Sequence, residues 1–167
     1  MFGRKKNSYP DFVVDSKGKK PTAASPIAPV ADGRWLGGWP TELGILSEDG
    51  SRETYEWAEF ENGTWDDDRN LLTLTFIDPQ QPPLSIELPR DADEVIITMV
   101  RERVDRSIVY QQFADLPSGG IARGQVRRNA DETLFTQIIV DHDITDADRA
   151  VLNQLESELR EAVGLRI

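Results

Sequence analysis

The sequence predicts an α+β fold, in which antiparallel strands lead to a helix and then antiparallel strands lead to a second helix. Three observations predict it. Residues 71–77 alternate apolar and polar side chains, the mark of a half-buried strand, and several other short segments do the same. Val151, Leu152, Leu155, Leu159, Ala162 and Val163 form one apolar stripe at helical spacing. The 167 residues contain no cysteine and a single histidine, His142, so a disulfide scaffold, a thiolate metal site and a multi-histidine site are all excluded. A folded core must therefore hold the protein. At 38% apolar residues that core is modest, and part of the chain is expected to lie outside it.

Residues 1–32 are that part. Pro10, Pro21, Pro26 and Pro29 interrupt any period, and residues 22–31 read as an extended linker, so the segment is expected to be a disordered basic leader. All five lysines lie here, Lys5, Lys6, Lys17, Lys19 and Lys20; with Arg4 they oppose three aspartates, a net of +3. Residues 33–167 carry 13 arginines against 27 acids, a net of -14. Tyr9, Phe12, Val13 and Val14 are the one apolar knot in the leader.

Residues 33–167 are expected to form one domain, with halves at 33–106 and 107–167. Trp35 and Trp39 flank Gly37-Gly38 in a short aromatic segment that Pro40 ends. Glu42–Ser47 is a strand, and Asp49-Gly50 favours a tight hairpin back into residues 53–57, with Tyr55 and Trp57 on one face. Residues 60–65 and 71–77 flank an Asp-rich turn, with Leu72, Leu74 and Phe76 sharing a face. Residues 84–88 add a further strand. Asp91 and Glu94 then stand in a capping-box arrangement, and Val95, Ile96, Met99, Val100 and Val104 share a helical face. The β-branched content leaves a strand over 95–104 as the competing reading. Residues 108–113, 121–128 and 134–140 read as an antiparallel meander. Thr145 caps the last helix, with Asp148 three residues on, and Gly164 suits its C-terminus. Both helices start at an Asp-Ala-Asp triplet, residues 91–93 and 146–148. The helices are expected to cover one shared sheet or two abutting sheets.

The charge balance argues against nucleic acid for the body, because phosphate binding requires clustered cations. The leader could contact RNA or an anionic membrane through Arg4, Lys5, Lys6, Lys17, Lys19 and Lys20. No run approaches the ~18 apolar residues of a membrane span, and no apolar region follows the first basic residues as in a secretory signal. The expected location is cytoplasmic.

Motifs with a clear catalytic mechanism are missing. There is no Gly-x-Ser-x-Gly elbow and no Gly-x-Gly-x-x-Gly turn after a strand. Gly119 and Gly124 have phosphate-loop spacing, but Gln125 stands where the lysine belongs. No cofactor is expected. Asp141, His142 and Asp143, at the start of the acidic run 141–148, could bind a divalent cation or exchange protons. The same run is also what a helix N-terminus attracts through its dipole. Asp66, Asp67 and Asp68 read as an exposed turn. Arg123 and Arg127 fall on one strand face, with Arg128 opposite, and could grip a carboxylate or phosphate. All four tryptophans lie between positions 35 and 65. Trp57 and Trp65 are assigned to the core. Trp35 and Trp39, at the domain edge, are assigned to partner contact, together with Arg123 and Arg127.

Met-Phe-Gly-Arg-Lys-Lys at the start, Trp57 through Trp65-Asp66 into a Leu-Thr-Leu strand, and Val-Arg-Glu-Arg-Val at 100–104 carry a resemblance. With the acidic stretch into the last helix, the chain resembles a group of uncharacterised actinobacterial proteins over most of residues 50–163. The first half is also similar to bacterial pleckstrin-homology-like sheets. That likeness implies a binding scaffold, while the acidic balance argues against phosphoinositide recognition. The expected function is a non-catalytic protein–protein interaction module. A carboxylate- or cation-dependent enzyme centred on residues 141–148 and a leader that binds RNA or anionic lipid are the alternatives.

Overall fold

The computed structural model describes residues 9–165. The chain divides into two compact units, Met1–Asp105 and Arg106–Ile167. The fold is α+β, with three antiparallel sheets and two helices. Three sheets replace the one or two expected, because the 3-10 turn at Trp57–Glu59 breaks the first meander in two.

In the first unit, β1 (Ala23–Pro26), β2 (Arg34–Gly38), β3 (Glu42–Ser47) and β4 (Arg52–Glu56) form a sheet in sequential order. A second sheet holds β5 (Phe60–Asp66), β6 (Leu71–Phe76) and β7 (Leu84–Glu87). The helix α1 (Glu94–Arg106) follows. Both sheets and α1 share a core built on Leu36, Leu43, Phe60, Leu72, Leu74, Ile96, Val100 and Val104. Phe60 and Phe76 sit with ring centroids 5.1 Å apart, a tilted aromatic pair inside that core. Leu72, Leu74 and Phe76 point inward at a period of two, as their spacing requires.

Most of the leader is not disordered. Val13, Ala23, Ala24 and Ile27 are buried, and β1 pairs antiparallel with β2. Small side chains explain why the sequence hides this strand. Ala23 joins the main core and Ala24 a second cluster with Val13, Trp39 and Leu46, so neighbouring residues are buried and no alternation shows. Pro26 is tolerated because β1 is an edge strand. The leader's first eight residues lie outside the described residues.

Two local corrections follow from register. β4 ends at Glu56, whose side chain and that of Glu59 cap the 3-10 turn reciprocally, so Trp57 does not extend the Tyr55 strand face. Its indole instead donates to the Trp39 carbonyl at 2.8 Å. Residues 94–106 are helical, not a strand, and Asp93 rather than Asp91 caps them, accepting the Val95 N–H at 3.0 Å. The helix consequently turns Val95 outward and buries Ile97 in its place.

In the second unit, β8 (Ile108–Asp115), β9 (Ile121–Arg128) and β10 (Leu134–Ile139) form the expected meander, with β9 central. The helix α2 (Asp146–Ala162) packs its Leu155 and Leu159 on Ala122 and Val126. Gly124 lies beneath them, where a Cβ would come within 2.7 Å of Leu159. Gly164 closes the helix in the left-handed region, at φ 74°.

Candidate functional site

Four tryptophans from the first unit take three different roles. Trp39 is 2% exposed and belongs to the core, which removes it from the partner contacts expected of it. Gly37 and Gly44 pair across β2 and β3 and leave the slot its ring fills; a Cβ on Gly37 would lie 2.6 Å from the indole. Its Nε1 donates to the Lys19 carbonyl at 3.0 Å. Trp57 is likewise core, and Trp65 packs half-buried against the same core with its Nε1 3.3 Å from Asp67. Trp35, unlike Trp39, is not enclosed by the core. It is half-buried on β2, opposite Pro26 of β1, and it lines an open cavity of about 200 Å³.

That cavity is built from four stretches of the first unit. Tyr9 and Trp35 supply aromatic rings, Pro26 and Pro89 supply rigid apolar walls, and Asp91 and Asp93 supply exposed carboxylates before α1. Asp93 uses one oxygen to cap α1. Among the described residues, no lysine or arginine lines the cavity. Aromatic faces carry negative quadrupole charge, so rings and carboxylates favour the same sign of ligand. Sequence reasoning picked out Trp35 but not Tyr9, Asp91 or Asp93 as its neighbours. They come from stretches distant in sequence that meet Trp35 only in the fold.

The remaining basic candidates separate. Lys17, Lys19 and Lys20 are exposed on a loop that the Asp15 carboxylate fixes, accepting the N–H groups of Lys17 and Lys19 at 2.9 and 2.8 Å. The Arg52 guanidinium donates to the Val14 carbonyl on the same stretch. Arg4, Lys5 and Lys6 lie outside the described residues. Arg123 and Arg127 do share a face of β9, but Arg127 is fully buried and not a surface grip. Its guanidinium donates to Gln125 Oε1 at 3.1 Å and Ser107 Oγ at 2.5 Å. Burial first, and the neighbouring Arg123 charge second, lower its pKa to about 10. Arg128, on the opposite face, pairs with Glu132 at 3.1 Å.

In the second unit the acidic run forms a cluster whose centre was not foreseen. Ser118, in the turn between β8 and β9, meets both His142 and Asp148. The Ser118 hydroxyl lies 3.0 Å from His142 Nε2, and His142 Nδ1 lies 3.2 Å from Asp141. Serine, imidazole and carboxylate in this order resemble a nucleophile, its base and an orienting group. The proton inventory gives a different answer. Ser118 Oγ donates to Asp148 Oδ2 at 2.5 Å, and a hydroxyl has one proton to give. With that proton directed to Asp148, the hydroxyl turns only its lone pairs towards His142 Nε2.

Asp148 is the anchor of the cluster. It is fully buried, and its carboxylate also accepts the backbone N–H groups of Ser118 at 3.1 Å and Thr145 at 3.0 Å. The Thr145 hydroxyl accepts the Asp148 N–H in return, completing a capping box. The Ser118 hydroxyl above all, then the Thr145 N–H, hold the Asp148 carboxyl down at about 2. Asp143 is exposed. Among the described residues, no group of three or more His, Cys, Asp or Glu side chains is arranged to hold a metal ion. Ser118 and Asp148 are 30 positions apart, and no local pattern announces their contact. Among the described residues, no helix is long and apolar enough to cross a membrane. No protein-family model, curated protein or solved structure matches the chain.

Proposed function

We propose that this chain is a cytoplasmic, non-catalytic module that binds another protein, with Trp35 and its cavity as the contact. The observation that carries the reading is the half-buried Trp35 opening onto that cavity, while Trp39 and Trp57 are consumed by the core. A large amphipathic ring held on a rigid strand loses little entropy on binding, which is why tryptophan recurs at interaction hot spots. The commitment of the Ser118 proton to Asp148 supports this reading over an enzyme centred on residues 141–148. The exposed Lys17, Lys19 and Lys20 loop supports a second reading, in which an anionic polymer or surface meets the basic stretch.

Parallel affinity capture with wild-type chain and Trp35→Ala, each checked for native circular dichroism, tests the first reading. A protein partner held by the wild type and lost from the variant is the expected result. Identical captured sets from both chains would refute it. A partner lost on raising salt, and lost equally on Lys17, Lys19 and Lys20 replacement, would favour the second reading.

A further inference from the structure

We infer that the Trp35 cavity takes a cationic side chain, an arginine or lysine presented by the partner protein. This rests on the proposed function and names what that contact recognises. Size is the first argument. At about 200 Å³ the cavity falls below the roughly 300–1,000 Å³ of sites that enclose a whole small molecule, and it suits one inserted side chain. Charge is the second. Asp91 and Asp93 are exposed at the rim, no cationic residue among the described residues lines the cavity, and residues 33–167 carry a net of -14. An anionic ligand would meet like charge from both carboxylates.

The carboxylates also favour a cation over an apolar group. A neutral side chain would cover the carboxylates without pairing them, and unpaired charge is costly to desolvate. A guanidinium or ammonium lets the carboxylates keep a partner while its alkyl stem lies along Pro26, Pro89 and the aromatic rings. Asp91 is the freer of the two acids, because Asp93 already spends an oxygen on the Val95 N–H. The chain's own Arg4, Lys5 and Lys6 lie only a few residues before Tyr9, so they are the competing source of the same chemistry.

Acetylated pentapeptides Ala-Ala-Xaa-Ala-Ala, with Xaa arginine, lysine or norleucine, titrated into full-length ¹⁵N-labelled protein test the inference. The Trp35 indole N–H resonance is the readout. The cationic peptides are expected to shift it saturably, and the norleucine peptide to bind roughly tenfold more weakly. Asp91→Asn, which leaves the α1 cap intact, is expected to weaken the cationic peptides about threefold, and added salt to weaken them further. Equal binding of norleucine would overturn the cation while leaving Trp35 as the contact. No shift by any peptide, with partner capture still dependent on Trp35, would also overturn it and spare the proposed function. No shift and no dependence on Trp35 would remove both. A Trp35 shift in peptide-free protein on replacing Arg4, Lys5 and Lys6 with alanine would assign the cavity to the chain's own leader and overturn an external partner.

Discussion

The two units begin their helices with the same three residues and use them in opposite ways. In the first, Asp91-Ala92-Asp93 precedes α1, and Asp93 caps it from outside with both acids exposed. In the second, Asp146-Ala147-Asp148 is the first turn of α2, and Asp148 is buried as a reciprocal partner of Thr145. The triplet is shifted by three positions relative to its helix. That shift buries Asp148 in the α2 cap, while Asp93 caps α1 from an exposed position and Asp91 lies outside the cap. The shared letters therefore occupy different helical positions. Capping chemistry selects aspartate at both the N-cap and the third helical position.

Substitutions along the two triplets can break or sharpen this contrast. Asp148→Ala should have the largest effect, because it leaves the Ser118 hydroxyl, the Ser118 N–H and the Thr145 N–H without their acceptor. Its acid dependence has a defined sign. A carboxyl lowered from 3.8 to about 2 stabilises the fold above 3.8 and loses that contribution as pH falls towards 2. Urea melts should therefore show a gap between wild type and Asp148→Ala that is full at neutral pH and narrows between pH 4 and 2. A gap independent of pH would contradict the assigned network.

Ser118→Ala comes next. It removes one donor to an ionised acceptor and should cost about 1.5 kcal/mol in the same melts. If Ser118 were a catalytic nucleophile instead, its loss would abolish an activity and leave stability nearly unchanged. Asp93→Ala removes a single cap bond to α1 and should cost about 1 kcal/mol. Asp91→Asn is expected to move stability by less than about 0.5 kcal/mol while weakening cationic peptides. Equal destabilisation by Asp91→Asn and Ser118→Ala would erase the distinction between a free rim and a spent cap.

Much of the fold was legible before any coordinates. Glu42–Ser47 and Ile121–Arg128 coincide with their expected spans, because alternation and flanking turns mark both ends. The Thr145 cap and the stripe through Leu155 and Leu159 were read correctly for the same reason: capping and helical period are local. What escaped was non-local or carried by small residues. Ala23, Ala24 and Ser25 are all buried, so β1 shows no period to find. The fate of Trp39 depends on Gly37 facing Gly44 across two strands. The candidate site was legible only in part, as Trp35. Its companions Tyr9, Asp91 and Asp93 come from distant stretches, and burial of Arg127 is a tertiary outcome that its residue type argues against.

The distribution of indoles has an optical consequence. All four tryptophans belong to the first unit and none to the second. Light absorbed by tryptophan alone therefore reports on one unit and leaves the other dark. Within that signal, Trp39 and Trp57 sit shielded with their N–H groups on carbonyls, while half-buried Trp35 and Trp65 meet solvent. Quenching by a dissolved small molecule should thus split into a protected and an accessible population. Only the accessible one can dim when something enters beside Trp35, so the native protein carries its own ligand reporter without a label.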